Sequence, residues 1–237
     1  MTSGVRLAVW SGPRNISTAL MRSWGNRPDC RVVDEPLYAY YLVETGVEHP
    51  GRNEVIAAGE TSWQAVVADL TGPVHGVYYQ KHMAHHLIPQ LPREWISSLN
   101  NVLLIRDPAE VVASYIRLRG DVAEEDIGLV RQKELHDQLG GAVPVIDSGD
   151  LLRNPEGYLR WLCGHVGVEF TESMLRWRAG PRDSDGVWAR YWYDSVLAST
   201  GFEPYRRPRI ELSDKAQRTV QRCRPHYEHL HSVRVVV

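Results

Sequence analysis

The sequence of 237 residues contains little cysteine, only two phenylalanines and no long hydrophobic run. Its three cysteines are odd in number, widely spaced and without a CxxC pair, which argues against a disulfide framework and favours a reducing compartment. No stretch approaches the roughly 20 apolar residues that a membrane span needs. The apolar run at 5–10 is too short for the hydrophobic region of a signal peptide. We therefore expect a cytoplasmic protein with no membrane span.

An excess of charge of one sign is also lacking. The chain carries 27 basic and 29 acidic side chains, a formal net charge of −2, so no general electrostatic field attracts it to nucleic acid or to an anionic membrane. Any anion site must therefore be local. With 43% hydrophobic and 24% charged residues the composition is that of an ordinary globular protein, and the length predicts a single domain over residues 1–237.

Short apolar runs bounded by polar or turn residues predict the strands of one sheet. Four such runs lie at 6–10, 31–33, 77–79 and 102–105, and a fifth lies at 144–146. Helical patterns separate most of them, and this alternation predicts an α/β fold whose mainly parallel central sheet is flanked by helices. In such sheets ligands bind beyond the carboxyl ends of the strands, so those ends are where we expect the functional site.

The sequence also predicts helices between and after the strands, some from clear capping residues and others from weaker patterns. The clearest predict a helix over 17–24 that stops at Gly25, and helices that begin at Asp107-Pro108 and at Asn154-Pro155. Further patterns predict helices over 37–43 and 62–70, a single surface helix over 124–139, and a C-terminal helix from Ser213 that ends at Pro225. Residues 179–186, rich in Gly, Pro, Asp and Arg, predict a loop.

The segment that joins the first strand to the first helix is the strongest candidate site. It passes through Gly12 and Pro13, so the free amides of the helix N-terminus can face a phosphate or sulfate. Arg14 adds a positive charge, and Ser17 and Thr18 add hydroxyl donors. The alternative is an ordinary turn with Ser17 as the helix N-cap. The segment is not a Walker loop, because no Lys precedes Ser17 or Thr18.

A second anion-binding candidate follows the strand at 102–105. Arg106 ends that strand, and Ser114 lies about two helical turns beyond the helix start at Asp107, on the same side of the helix. Both side chains can reach one anion. The alternative is that Arg106 forms a surface ion pair and that Ser114 bonds back to a helical carbonyl.

Both segments resemble motifs of sulfotransferases. The family's 5′-phosphosulfate loop is similar to Pro13-Arg14-Asn15-Ile16-Ser17-Thr18, and its 3′-phosphate motif is similar to the segment 106–115, RDPAEVVASY, with the same spacing of Arg106 and Ser114. The resemblance implies a P-loop-like three-layer sandwich, 3′-phosphoadenosine 5′-phosphosulfate as co-substrate, a small-molecule acceptor and no metal. It also implies that Arg14 acts in catalysis and that residues 13–18, Arg106 and Ser114 bind the donor.

The resemblance leaves the catalytic base open between two residues. The segment 80–89 is similar to the family's Lys-Thr-His-Leu-Pro segment, and registration on Ile88-Pro89 places His82 on the family's base. In that register the family's Lys falls on Gln80, and Lys81 replaces Thr. The rival base is Glu35, which precedes Pro36 at the exit of the second strand, where some similar bacterial sulfotransferases use a Glu-Pro carboxylate.

The remaining site predictions concern the far end of the donor, metals and rival functions. Arg178, in a segment that loosely resembles the family's Arg-Lys-Gly motif, is predicted to close over the 3′-phosphate, with Arg182 as an alternative. The histidines at 82, 85 and 86 invite a metal interpretation, but no acidic or Cys partner lies nearby in sequence, so we expect no metal. The rival functions are a divergent P-loop kinase or nucleotide hydrolase and a noncatalytic nucleotide-binding protein of the same fold. The acceptor, a hydroxyl or amine compound, and the oligomeric state remain open.

Overall fold

The computed structural model describes residues 4–237, and its centre is a sheet of five parallel strands. The strands are β1 (Val5–Ser11), β2 (Cys30–Asp34), β3 (Val77–Met83), β4 (Asn100–Ile105) and β5 (Val145–Asp147). They lie in the order β2-β3-β1-β4-β5, and every neighbouring pair is parallel. All five predicted strands are confirmed, and β3 extends four residues beyond the prediction.

Helices connect the strands and cover both faces of the sheet. They are α1 (Ser17–Gly25), α2 (Tyr38–Thr45), α3 (Arg52–Ala58), α4 (Trp63–Thr71), α5 (Pro108–Arg119), α6 (Glu124–Ile127), α7 (Leu129–Gln138), α8 (Ser148–Arg153), α9 (Pro155–His165), α10 (Ala189–Trp192), α11 (Asp194–Ala198) and α12 (Asp214–Ser232). Turns of 3₁₀ helix occur at Ala84–His86, Glu94–Ser98 and Glu172–Leu175. None of the helices described between residues 4 and 237 is long and apolar enough to cross a membrane.

Burial on both faces explains why the strands read as continuous apolar runs. Because successive strand residues point to opposite faces, Trp10 and Leu103 pack on one side with helices that include α2, α5 and α12. On the other side Val9 and Leu104 pack with α1 and α9. The α/β fold with a helix layer on each face is therefore confirmed.

The prediction of a single helix over 124–139 is wrong in one respect, because the structure divides it into α6 and α7. Gly128 adopts a left-handed φ of 77°, which ends α6 and begins α7, and a Cβ added at Gly12 would lie 2.2 Å from the Ile127 carbonyl oxygen. The turn therefore packs directly on the loop after β1. The predicted surface position with one buried side agrees with the structure, because Gln132 is fully buried and donates from Nε2 to the carbonyls of Trp10 and Leu104, whereas Asp137 is exposed.

The prediction that the C-terminal helix ends at Pro225 is also wrong, because α12 continues through this proline to Ser232. A proline inside a helix costs about 3 kcal/mol or more, since it removes one backbone hydrogen bond and crowds the preceding turn. Here the apolar face of the helix stays buried on both sides of Pro225, through Cys223, Tyr227 and Leu230. We attribute the continuation to this packing, which outweighs the local cost.

Candidate active site

The carboxyl ends of the strands meet at a cavity of about 430 Å³. Its walls come from the loop after β1, Glu35 after β2, the end of β3 with the following 3₁₀ turn, Arg106 after β4, the inner face of α5, and the segment 192–203. The edge of the sheet at which we expected a ligand site therefore carries a cavity.

The loop after β1 reaches α1 through an alternating backbone. Arg14 and Ile16 have φ values of 57° and 52°, in the left-handed region that residues other than glycine rarely occupy. Such conformations cost on the order of 1–3 kcal/mol each and cluster at functional sites. Alternation of this kind turns successive amides towards one side, which makes an anion-binding concavity.

The amides of the first turn of α1 have no partner within the helix. The Leu20 amide donates to the Ile16 carbonyl at 3.0 Å, so the amides of Ser17, Thr18 and Ala19 precede the helical ladder. Ile16 is the N-cap and contributes no side-chain hydrogen bond, so the alternative in which Ser17 is the N-cap is wrong. The first turn thus presents free donors and the positive end of the helix dipole to the cavity.

The structure brings the two sequence motifs together. Arg14 donates from Nε to Ser114 Oγ at 3.1 Å and from Nη1 to the Trp192 carbonyl at 2.9 Å. Arg106 donates from Nη1 to the Arg14 carbonyl at 2.8 Å and from Nε to Glu110 at 2.9 Å. Arg106 therefore braces the backbone of the loop as well as lining the cavity.

Positive charge is concentrated at this end of the cavity. Burial lowers the pKa of Arg14, and the neighbouring Arg106 and Arg117 lower it further. A bound anion would relieve this repulsion. Asn15 fixes the loop to the sheet, because its Nδ2 donates to the Leu104 carbonyl at 2.6 Å while the side chain stays 3% exposed.

The other end of the cavity contains a buried cation between two carboxylates. Lys81, on β3, pairs in register with Asp34 of β2, and its side chain is fully buried. Its Nζ donates to Asp34 at 2.7 Å, to Glu35 at 2.6 Å and to the Tyr193 hydroxyl at 2.8 Å. Tyr193 in turn donates to Asp34 at 2.6 Å. Glu35, with a left-handed φ of 44°, is the carboxylate of this pair that lines the cavity.

Burial and the neighbouring charges have opposing effects on the pKa values of Lys81 and Glu35. Burial disfavours the charged form of Lys81, but Asp34 and Glu35 raise the pKa of Lys81 well above its ordinary value. Burial raises the pKa of Glu35, and the attraction of Lys81 offsets this only in part. A cavity-lining carboxylate with a raised pKa is suited to proton transfer.

The structure places His82 outside the cavity. Because side chains alternate along a strand, Lys81 faces the cavity and His82 points to the opposite side of the sheet. Its ring stacks on Trp10 with centroids 4.0 Å apart, its Nε2 meets Gln80 Oε1 at 3.2 Å, and it is 1% exposed. Burial lowers the pKa of His82 to about 3. This placement does not support His82 as the base.

Arg178 and Arg182 also lie outside the cavity lining, and Arg178 is exposed. The Arg178 carbonyl accepts a hydrogen bond from Arg182 Nη2. The loop is held towards α1 by a buried salt bridge of 2.6 Å between Arg22 and Asp185. Residues of the segment 192–203, and none of this loop, line the cavity.

Sequence reasoning missed the role of Lys81 and the presence of His85 and His86 in the cavity wall. The signal for Lys81 was a lysine in the interior of a buried strand, which demands a carboxylate partner. The position of His85 and His86 directly after the same strand, at the carboxyl edge of the sheet, could have indicated that they line the cavity.

The described residues also include three potential metal ligands that lie close together away from the cavity. His136 and Asp137 at the end of α7 and His229 on α12 offer ligand atoms within 4.8 Å of one another. Asp137 already pairs with Lys133 at 2.5 Å. None of the three lines the cavity.

Comparisons with known proteins agree with this geometry. Residues 5–233 match the family model described as "Sulfotransferase domain". Two curated proteins of Arabidopsis thaliana, named branched-chain-amino-acid aminotransferase-like proteins 1 and 2, are 41% and 38% identical over 84% and 82% of this chain. These stretches make up 37% and 35% of the two relatives, so the chain spans about a third of their length.

Among solved structures, the sulfotransferase domain of the Synechococcus PCC 7002 olefin synthase has a TM-score of 0.54 at 19% identity. The match covers 93% of this chain and 94% of that domain. At this identity the likeness concerns the fold.

Proposed function

The chain belongs to the sulfotransferase domain family, and from this premise we propose that it transfers a sulfuryl group from 3′-phosphoadenosine 5′-phosphosulfate to a small-molecule acceptor. The acceptor contributes a hydroxyl or an amine. The observation that carries the proposal is that one cavity joins the loop 13–18, Arg106 and Ser114 to the buried carboxylate of Glu35.

The residues fit a donor with two separate anionic groups. We assign the 5′-phosphosulfate to the free amides of residues 13–18, together with Arg14 and the hydroxyls of Ser17 and Thr18. We assign the 3′-phosphate to Arg106 and Ser114. The left-handed backbone at Arg14 and Ile16 supports the first assignment, because a strained amide concavity is expected where an anion is bound. Arg178 has no place in this proposal, because its side chain is exposed outside the cavity.

The donor supplies the sulfuryl group, and the protein must accept one proton and stabilise negative charge. The acceptor oxygen or nitrogen forms a bond to sulfur as the bond between sulfur and the bridging phosphate oxygen breaks. Glu35 accepts the proton that the acceptor loses. Arg14 and the loop amides donate to the charge that develops on the sulfuryl and phosphate oxygens, and each such donor can contribute on the order of 2.7–4 kcal/mol.

Lys81 is a positioning residue in this proposal. It holds the Glu35 carboxylate at 2.6 Å and balances the charge of Asp34, so that Glu35 can ionise inside a buried site. We favour Glu35 over His82 as the base because the Glu35 side chain lines the cavity and the His82 ring is packed against Trp10.

The test is a comparison of adenosine 3′,5′-bisphosphate, AMP and ATP by calorimetry and thermal shift. We expect the bisphosphate to bind most tightly, because Arg106 and Ser114 demand the 3′-phosphate. In the Arg106→Ala variant this preference over AMP should fall about tenfold or more, the usual effect of losing a hydrogen bond to a charged group. Arg209→Ala, at an exposed position, is the control. Equal affinity for the bisphosphate and AMP, or tighter binding of ATP with Mg²⁺, would overturn the proposal.

A further inference from the structure

The wall of the cavity near β2 and β3 contains imidazoles that the proposed reaction does not use. His85 and His86 form the 3₁₀ turn after β3, and His49 follows α2. His86 is 1% exposed, and neither of its ring nitrogens has a hydrogen-bond partner among residues 4–237. His85 Nδ1 is likewise buried without a partner in that part of the chain. Buried polar atoms in proteins are nearly always paired, so this arrangement requires an explanation.

Aromatic neighbours hold the His86 ring by its faces. Tyr38 stacks on it with centroids 4.9 Å apart and an interplanar angle of 11°, and Tyr41 stacks with centroids 4.7 Å apart at 30°. Tyr38 is itself fixed by its hydroxyl, which meets His49 Nδ1 at 2.8 Å. The stack fixes the plane of the His86 ring and uses none of its hydrogen-bonding edge. A fixed polar ring in a cavity wall is the arrangement expected of a ligand-binding group.

The imidazoles of this cluster are electrically neutral. Burial lowers the pKa of His49 to about 4, that of His85 to about 3 and that of His86 further below its ordinary value. A neutral imidazole offers one N–H donor and one nitrogen acceptor, which matches a hydroxyl group, itself both donor and acceptor. The nearby Lys81 is already satisfied by two carboxylates and a hydroxyl, so it does not attract an anion here.

The arginines that line the cavity lie at its other end, where Arg106 and Arg117 are close enough to Arg14 to lower its pKa. Aromatic side chains also line the cavity, with Tyr115 and Trp192 at 5.9 Å between ring centroids. Flat apolar walls and neutral polar edges favour an aromatic, uncharged ligand.

We propose that His86, with His85 beside it, is a specificity subsite that selects an uncharged aromatic acceptor bearing a second hydroxyl group besides the one that is sulfated. His86 hydrogen-bonds the second hydroxyl and so positions the acceptor. This inference rests on the proposed function and adds the chemical class of the acceptor to it. His86 is a specificity residue and not the base, which is Glu35.

Four phenols of matched size test the subsite. They are 4-(2-hydroxyethyl)phenol, 4-ethylphenol, tyramine and 4-hydroxyphenylacetate, which differ in one terminal group that is a hydroxyl, a methyl, a cation or an anion. Transfer from 3′-phosphoadenosine 5′-phosphosulfate gives kcat and KM for each. Calorimetry with protein saturated by adenosine 3′,5′-bisphosphate gives binding of each phenol without turnover.

We expect 4-(2-hydroxyethyl)phenol to have the lowest KM, up to about tenfold below that of 4-ethylphenol, as one net hydrogen bond allows. In His86→Phe, which keeps an aromatic ring between Tyr38 and Tyr41, its KM should rise to the value for 4-ethylphenol. The kcat should change little, and 4-ethylphenol should be unaffected. His82→Phe is the matched control, because that ring is equally buried and stacked but lies outside the cavity.

Three results would overturn the subsite. They are better binding of tyramine or 4-hydroxyphenylacetate, an equal effect of His86→Phe on all four phenols, and no binding of any phenol to the bisphosphate-loaded protein. In each case binding of the bisphosphate itself leaves the donor site and the proposed function standing. If the bisphosphate does not bind, the proposed function fails, and the four phenols are then compared on the free protein by the same criteria.

Discussion

Arg14 offers the sharpest test of the loop 13–18, because the contribution of its backbone to stability can be separated from that of its side chain. Its φ of 57° is left-handed, whereas its guanidinium contacts Ser114 and the Trp192 carbonyl. Arg14→Ala removes the guanidinium and keeps the strained backbone. Arg14→Gly removes the same side chain and relieves the strain. The difference in stability between the two variants therefore reports the backbone alone.

The expected magnitude follows from two terms. A left-handed conformation costs an L-residue about 1–2 kcal/mol, which glycine avoids. Glycine loses about 0.4–1 kcal/mol through the greater freedom of its unfolded chain. Arg14→Gly should therefore be more stable than Arg14→Ala by about 0.5–1 kcal/mol, a rise in Tm of about 1–4 °C for a chain of this size. At an ordinary helical position the order is reversed, because glycine there is about 0.5–1 kcal/mol less stable than alanine.

Urea unfolding measures the stability, and sulfuryl transfer with a saturating acceptor measures kcat. Both Arg14 variants should lose about 10²–10³ in kcat, the usual effect of removing one donor to developing charge. The control pair is Arg218→Ala and Arg218→Gly on the exposed face of α12, where alanine should be the more stable and kcat unchanged. An Arg14→Gly variant less stable than Arg14→Ala would refute the backbone argument. A normal kcat in either Arg14 variant would refute the proposed catalytic role of Arg14.

Three further predictions concern the side chains of Glu35, His82 and Lys81. Because burial raises the pKa of Glu35 and the base must be ionised, kcat should rise with pH along a limb above the ordinary range of a glutamate. Glu35→Gln should abolish that limb and lower kcat by about 10²–10⁴, and a surviving limb would exclude Glu35 as the base. His82→Phe should leave kcat and the limb unchanged, and a loss matching that of Glu35→Gln would restore His82 as the candidate. Lys81→Met should lower the free energy of unfolding by about 3–5 kcal/mol because it leaves Asp34 and Glu35 buried without their cation. The exposed pair broken in Arg209→Ala should cost at most about 1 kcal/mol. The effect of Lys81→Met should shrink in acid, where Glu35, whose pKa burial raises, protonates, and a constant loss at all pH values would contradict the charge argument.

The sequence predicted the strands, and the proximity of the residues in the two candidate anion motifs, because each depends on local pattern. Five apolar runs indicated five strands, and Arg14, Arg106 and Ser114 meet as their positions at strand exits and on one helix face required. Helix ends failed where tertiary contacts decide, as at Gly128, whose turn packs on the loop after β1. At Pro225 the helix continues because its apolar face is buried on both sides of the proline, although a proline usually ends a helix.

The direction of the His82 side chain could not be predicted for a different reason, which is the two-residue period of a strand. A shift of one residue in register moves a side chain to the opposite face of the sheet. Registration on the short Ile88-Pro89 match does not show which side chains of the strand face the cavity. The structure shows it, because the buried Lys81 meets Asp34, with which it pairs in register, and lines the cavity, whereas the adjacent His82 does not.

The two ends of the cavity are mechanically connected through the adjacent residues Trp192 and Tyr193. The Trp192 carbonyl accepts from Arg14 in the loop after β1, and the Tyr193 hydroxyl accepts from Lys81 and donates to Asp34 beside Glu35. These contacts have sequence separations of more than 100 residues, so they form only when the chain is folded. A displacement of this short segment would remove one hydrogen bond from Arg14 and one from Lys81 at the same time, while Ser114 and the two carboxylates would still hold these cations. The positions of both cations therefore depend in part on how one short turn packs against the sheet.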